Sequence, residues 1–97
     1  PFYHDFPTIT IRDMVNALDL LRVELGIDRI HTCIGGSVGG QQAVEWGIMQ
    51  PNLIENLILI ATNAVFSPWG IAFNEAQRMA IEADPTWHDR RDDAGQA

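Results

Sequence analysis

The chain has 97 residues, 46% of them hydrophobic and 20% charged, a globular composition rather than a disordered or fibrous one. Thirteen acidic residues stand against six arginines and no lysine, and the net charge of −7 argues against a nucleic acid as partner, since phosphate binding needs a basic face. No apolar run approaches the roughly 20 residues that cross a bilayer, no signal peptide is visible, and the single Cys33 excludes an internal disulfide. The expectation is a cytoplasmic protein with neither nucleic acid nor membrane as partner, and Cys33 reads as a small core residue rather than a nucleophile.

Residues 1–9 are aromatic and proline-containing and read as a loop. Thr10-Ile11-Arg12-Asp13 has the form of a capping box, in which the threonine hydroxyl and the aspartate carboxylate satisfy free N–H groups of a first helical turn. Met14, Leu18, Leu21 and Leu25 recur at helical spacing, and Gly26 suits the left-handed stop, so a helix is predicted over 11–25. Arg29 to Ile34 reads as a short strand, with Ser37 on the turn after it. A second helix is predicted over 38–49, with Trp46 packed in the core, and Gln50-Pro51-Asn52 ends it. Leu57 to Ala61 is apolar without alternation, the pattern of a strand buried on both faces of a parallel sheet. Helix, strand, helix, strand is the rhythm of an α/β fold. A third helix is predicted over 71–83, stopped by Asp84-Pro85, either as an ordinary crossover or as the start of a cap. The expected division is 1–65 as core and 66–97 as the start of a helical cap. The chain begins at Pro1 and closes on a charged, small-residue stretch, and is expected to be a piece of a longer protein.

Gly35-Gly36-Ser37-Val38-Gly39 fits the G-x-S-x-G pattern of a nucleophile elbow, between a predicted strand and a predicted helix. Such a turn thrusts the serine hydroxyl out over the sheet and holds its residue in a strained conformation. Gly35 and Gly39, two residues to either side, are expected to be glycine because side chains there would collide as the chain reverses. The competing reading is an inert or phosphate-binding glycine-rich turn, although the spacing does not supply the dinucleotide pattern G-x-G-x-x-G. A nucleophilic serine also needs a base. His31 lies on the strand before the elbow, His4 in the first loop, and Ser37, Asp84, His88 follow the serine–aspartate–histidine chain order of such folds. Asp84 and His88 stand a single turn of chain apart, however, and read better as a helix-end polar residue and a solvated histidine. Arg12 and Asp13 read as local scaffold, and no cluster has metal-ligand spacing.

Several stretches together resemble homoserine O-acetyltransferase, an α/β-hydrolase-fold family. They are Phe6-Pro7-x-x-Thr10-Ile11-Arg12-Asp13-Met14-Val15, Leu25-Gly26-Ile27, and Gly35-Gly36-Ser37-x-Gly39-Gly40-x-Gln42-Ala43-x-Glu45-Trp46. Ile60-Ala61-Thr62, Ile71-Ala72-Phe73-Asn74-Glu75 and Ala83-Asp84-Pro85-x-Trp87 follow, so the likeness covers residues 5–87. The family usually has methionine after the nucleophile and here Val38 stands there; the backbone N–H is kept, while the pocket shape can differ.

The resemblance implies a partial α/β-hydrolase fold: the elbow, the following parallel strand and the start of a cap. It implies Ser37 as nucleophile and the Val38 N–H as an oxyanion-hole donor. The catalytic aspartate and histidine and the arginine for the substrate carboxylate are expected beyond Ala97. The implied reaction is transfer of an acetyl group from acetyl-CoA, a co-substrate, to the hydroxyl of L-homoserine through an acyl-serine, in methionine biosynthesis, by a homodimer with no resident cofactor or metal. Three alternatives stay open: a succinyl-CoA-using relative, an esterase-type hydrolase in which water accepts the acyl group, and a fragment without turnover.

Overall fold

Thr10 and Asp13 cap the first helix reciprocally. Thr10 Oγ1 accepts from the Asp13 N–H at 3.1 Å, and Asp13 Oδ2 accepts from the Thr10 N–H at 2.8 Å and from its hydroxyl at 2.7 Å. These bonds, the side-chain one first, hold the Asp13 carboxyl below the ordinary aspartate range. The helix, α1, spans Ile11–Glu24. Gly26, at φ +67°, then turns the chain, with its N–H on the Val23 carbonyl and the Ile27 N–H on that of Arg22.

The computed structural model describes residues 2–89. Among them, residues 7–64 form one compact unit, and residues 2–6 together with 65–89 form another.

The 7–64 unit runs α1, β1 (Ile30–Gly36), α2 (Val38–Met49) and β2 (Ile54–Ile60). The two strands are parallel, in a register that pairs Ile30 with Ile54 and Gly36 with Ile60. A parallel pair needs a crossover, and α2 supplies it. One face of α2 lies on both strands and another meets α1. Val15, Trp46 and Leu53 form the buried centre, bordered by Ile11, Ile30, Met49 and Ile54. Trp46 is thus in the core, as its sequence context predicts. Its indole N–H also donates to Asp19 at 3.3 Å, and Arg22 Nε donates to the same carboxylate oxygen at 2.7 Å. Arg22 first, then the further bonds from Gln50 and Trp46, hold Asp19 below the usual carboxylate range against the opposing effect of desolvation. Arg12 reaches Glu45 of α2 at 2.6 Å, so Arg12 and Asp13 both serve the scaffold.

Two differences from the sequence reading have plain causes. The second strand begins at Ile54 rather than Leu57, because Ile54 pairs with Ile30 and Asn56 Nδ2 donates to the His31 carbonyl at 2.9 Å. Leu57, Ile58, Leu59 and Ile60 are 42–57% exposed instead of buried on both faces, since the sheet of the described residues has two strands.

In the other unit a 3₁₀ turn, Tyr3–Asp5, precedes the break in sequence, and α3 spans Pro68–Glu82. Ser67 caps α3, its Oγ accepting the Gly70 N–H at 3.1 Å, with Pro68 in the first turn. The helix therefore starts three residues earlier than the apolar spacing alone suggests. Trp69 and Phe73 stack on it at 5.3 Å between centroids. The His4 ring lies edge-on to Trp87 at 4.7 Å, with Nε2 bonded to the Trp87 carbonyl at 2.6 Å.

Candidate active site

Ser37 joins the C-terminal end of β1 to the first turn of α2, at φ +52°, ψ −123°. An L-residue pays on the order of 1–3 kcal/mol for such a conformation, so the surroundings must enforce it. They do so through the backbone. The Ser37 N–H donates to the Ile60 carbonyl at 3.0 Å, which carries the β1–β2 ladder one residue past the end of the strand. The Ser37 carbonyl accepts from the N–H of Gly40 at 3.0 Å, from that of Gln41 at 3.4 Å, and from Thr62 Oγ1 at 2.7 Å. This is the strained elbow that the G-x-S-x-G pattern predicts.

The glycines divide differently from that pattern. A Cβ on Gly35 would stand 2.6 Å from the Gly39 carbonyl carbon and 2.7 Å from Gly40 Cα, inside any real contact. A Cβ on Gly39 would meet nothing within 4 Å. The collision expected at Gly39 falls instead on Gly40, whose Cβ would lie 2.6 Å from Thr62 Cβ. The physical reason is the direction of α2: its first turn points Gly39 away from the strands and Gly40 toward the end of β2.

The Ser37 side chain is exposed, and among the described residues its hydroxyl has no hydrogen-bond partner. The N–H groups of Val38 and Gly39 open α2 with no backbone acceptor among the described residues. Free donors and the positive end of a twelve-residue helix thus converge beside the serine, an arrangement that favours negative charge there. Within 7–64 no base reaches the serine. His31 is exposed on β1, its Nδ1 at 2.8 Å from Thr32 Oγ1. In the other unit Asp84 Oδ1 accepts from the Thr86 N–H and hydroxyl at 2.8 and 2.9 Å, closing a local turn, and the His88 ring lies 6.1 Å from that of His4. Cys33 is half-buried on β1, and burial pushes its thiol above the usual range, away from the reactive thiolate.

A hollow of about 360 Å³, lined by Arg22, Asp28, Gln50, Pro51, Asn52 and Leu53, lies at the other end of this layer, where both strands begin. Open parallel sheets bind ligands outside the C-terminal ends of their strands, the end that carries Ser37. Thr62, which follows the apolar run, donates its hydroxyl to the Ser37 carbonyl; the stretch Ile60-Ala61-Thr62 stands among those that carry the resemblance, but no local pattern gives Thr62 this contact.

Comparison with known proteins agrees with this geometry. Residues 1–96 match the model of the alpha/beta hydrolase fold family. The chain is 54% identical over 95 residues to a homoserine O-acetyltransferase of Cyclobacterium marinum, covering 98% of this chain and 27% of that protein. Among solved structures it is similar to the homoserine O-acetyltransferase of Bacillus anthracis, with a TM-score of 0.84, 27% identity, and coverage of 97% of this chain and 27% of that one. It is also similar to an acetylester hydrolase of Corynebacterium glutamicum, with a TM-score of 0.78, 37% identity, and coverage of 84% and 24%. The chain thus spans about a quarter of the length of these relatives. A strained serine between a parallel strand and its crossover helix, found in a chain that matches the family model over nearly its whole length, makes this chain a member of the alpha/beta hydrolase fold family, similar within it to homoserine O-acetyltransferases.

Proposed function

We propose that the protein to which this chain belongs transfers an acetyl group from acetyl-CoA to the hydroxyl of L-homoserine, with Ser37 as the acyl carrier. The observation that carries the reading is the strained, exposed Ser37 beside the Val38 N–H, which has no backbone acceptor among the described residues. The likeness at 54% identity to a protein named homoserine O-acetyltransferase supports homoserine as the acceptor and acetyl as the group transferred.

In the first half-reaction Ser37 Oγ attacks the thioester carbonyl carbon, and its proton passes to a general base elsewhere in the full-length protein. The Val38 N–H faces the oxygen that becomes negative; losing one such donor typically costs about 10²–10³ in rate. The carbon–sulfur bond breaks, and CoA leaves with a proton from the protonated base. In the second half the homoserine hydroxyl gives its proton to the base and attacks the acetyl-serine carbonyl. The ester bond to Ser37 breaks, the serine recovers its proton, and O-acetylhomoserine departs. Splitting one displacement into two is the general logic of covalent catalysis. The same reading includes a cytoplasmic homodimer in methionine biosynthesis that needs no bound cofactor or metal.

A second reading, hydrolysis of an acetyl ester, is favoured by the likeness at 37% identity to an acetylester hydrolase. Incubating the full-length protein with acetyl-CoA, with and without homoserine, separates the two. Homoserine-dependent CoA release, with the acetyl mass on the Ser37 peptide, is the expected result. Release at the same rate without homoserine identifies a hydrolase, and turnover that survives Ser37→Ala removes the nucleophile assignment.

A further inference from the structure

The Ser37 carbonyl and the Val38 N–H belong to one peptide group. That group is planar and trans, so the two point in opposite directions, and whatever fixes the carbonyl fixes the N–H. The carbonyl accepts three donors, two from α2 itself and one from outside it, the Thr62 hydroxyl at 2.7 Å. Thr62 also packs flat against Gly40, where even a methyl group would overlap its side chain. Ala61, between the last strand residue and Thr62, takes φ +49°, a left-handed turn that is costly for a residue with a Cβ. The chain thus leaves β2 through a strained residue and places a hydroxyl against the carbonyl of the nucleophile, itself strained. Ile60 accepts the Ser37 N–H in the same stretch, so residues 60–62 hold Ser37 by both of its backbone polar groups.

We propose that Thr62 is a positioning residue for the oxyanion site: its hydroxyl holds the Ser37–Val38 peptide so that the Val38 N–H faces the reacting carbonyl oxygen. A hydrogen bond to the carbonyl also polarises the peptide and makes its N–H a better donor. The inference rests on the reading of Ser37 as nucleophile but not on the identity of the acyl donor or acceptor.

The test compares Thr62→Val, which keeps the shape and removes the hydroxyl, with Thr62→Ser, which keeps the hydroxyl, in the full-length protein. Two rates are read: phosphonylation of Ser37 by a fluorophosphonate, whose phosphoryl oxygen needs the same donor, and acetyl-CoA turnover. Thr62→Val should lower the phosphonylation rate and kcat by roughly five- to tenfold, the effect of one hydrogen bond, with KM for acetyl-CoA unchanged. Thr62→Ser should stay within about twofold of the parent in both. Should Thr62→Val fail to fold, Thr62→Ala makes the same comparison. Parental rates in the hydroxyl-free variant, or equal losses in Thr62→Ser, overturn the proposal. A Ser37 that never reacts with the fluorophosphonate overturns the nucleophile reading and this one with it. Ser37 labelling without acetyl-CoA turnover leaves the comparison intact and overturns only the proposed substrate.

Discussion

Gly35 faces the carbonyl of Gly39 so closely that a single added carbon on Gly35 would stand 2.6 Å from the Gly39 carbonyl carbon. The last buried residue of β1 and the second residue of α2 are thus in contact across the elbow, and this contact sets how sharply the chain turns at Ser37.

Gly35→Ala should therefore be the most damaging small substitution in the turn. It must push the start of α2 off β1, at roughly 3 kcal/mol, the upper part of the range for overpacking. Gly39→Ala should instead leave stability unchanged or raise it by up to about 1 kcal/mol, since alanine is the better helix residue and its Cβ meets nothing. Denaturant unfolding of the two variants of the full-length protein checks the contrast. Equal losses would mean that the turn is not built as described.

Ser37→Gly and Ser37→Ala should both abolish acylation but differ in stability. The positive φ that strains serine is open to glycine and equally costly for alanine. The glycine variant should be the more stable of the two by about 1 kcal/mol, read as a shift in unfolding midpoint. An alanine variant as stable as the glycine one would show that Ser37 carries no strain.

The Asp19 carboxylate should make the α1–α2 pairing acid-sensitive. Its Arg22, Gln50 and Trp46 hydrogen bonds lower its pKa in the folded protein relative to the unfolded value near 3.9. A group depressed on folding contributes stability that is fully present above the unfolded pKa and is lost as pH falls through the folded one. The stability difference between the parent and Asp19→Asn should be largest near neutrality and shrink as the pH drops below about 4. Unfolding free energies across that range measure it, and a gap that widens on acidification would reverse the assignment.

The 97-residue chain by itself should release no CoA from acetyl-CoA, because no base within 7–64 reaches Ser37. It should also self-associate. Leu57 to Ile60 are 42–57% exposed on a two-stranded sheet, and open apolar strands invite pairing. Size-exclusion chromatography should place it above its 10.8 kDa mass. Homoserine-dependent CoA release that Ser37→Ala abolishes would show a complete site within these residues.

Local chemistry made much of this chain legible. Thr10 and Asp13 announce the first helix because a capping box is satisfied within four residues, and Gly26 ends it because only the backbone is involved. The cap of α3 lies at Ser67 and the helix starts at Pro68, three residues ahead of Ile71, where the apolar spacing begins, so apolar periodicity alone places that boundary too late. The serine elbow was readable because strand, small residues and helix adjoin in sequence, and a strained φ at Ser37 follows from that juxtaposition alone.

What the sequence determined by itself is therefore what neighbours along the chain decide: the helix caps, the α/β alternation and the place of the serine turn. The tertiary structure decided which glycine of the turn is crowded, since Gly40 rather than Gly39 meets Thr62, twenty-two residues further along the chain. It also decided that the Ser37 backbone is held by Ile60 and Thr62, because a parallel register brings the two strand ends side by side and no local pattern encodes a register. It decided as well that the apolar run of β2 stands exposed, because burial depends on how many strands and helices flank a residue, not on the residue's own hydrophobicity.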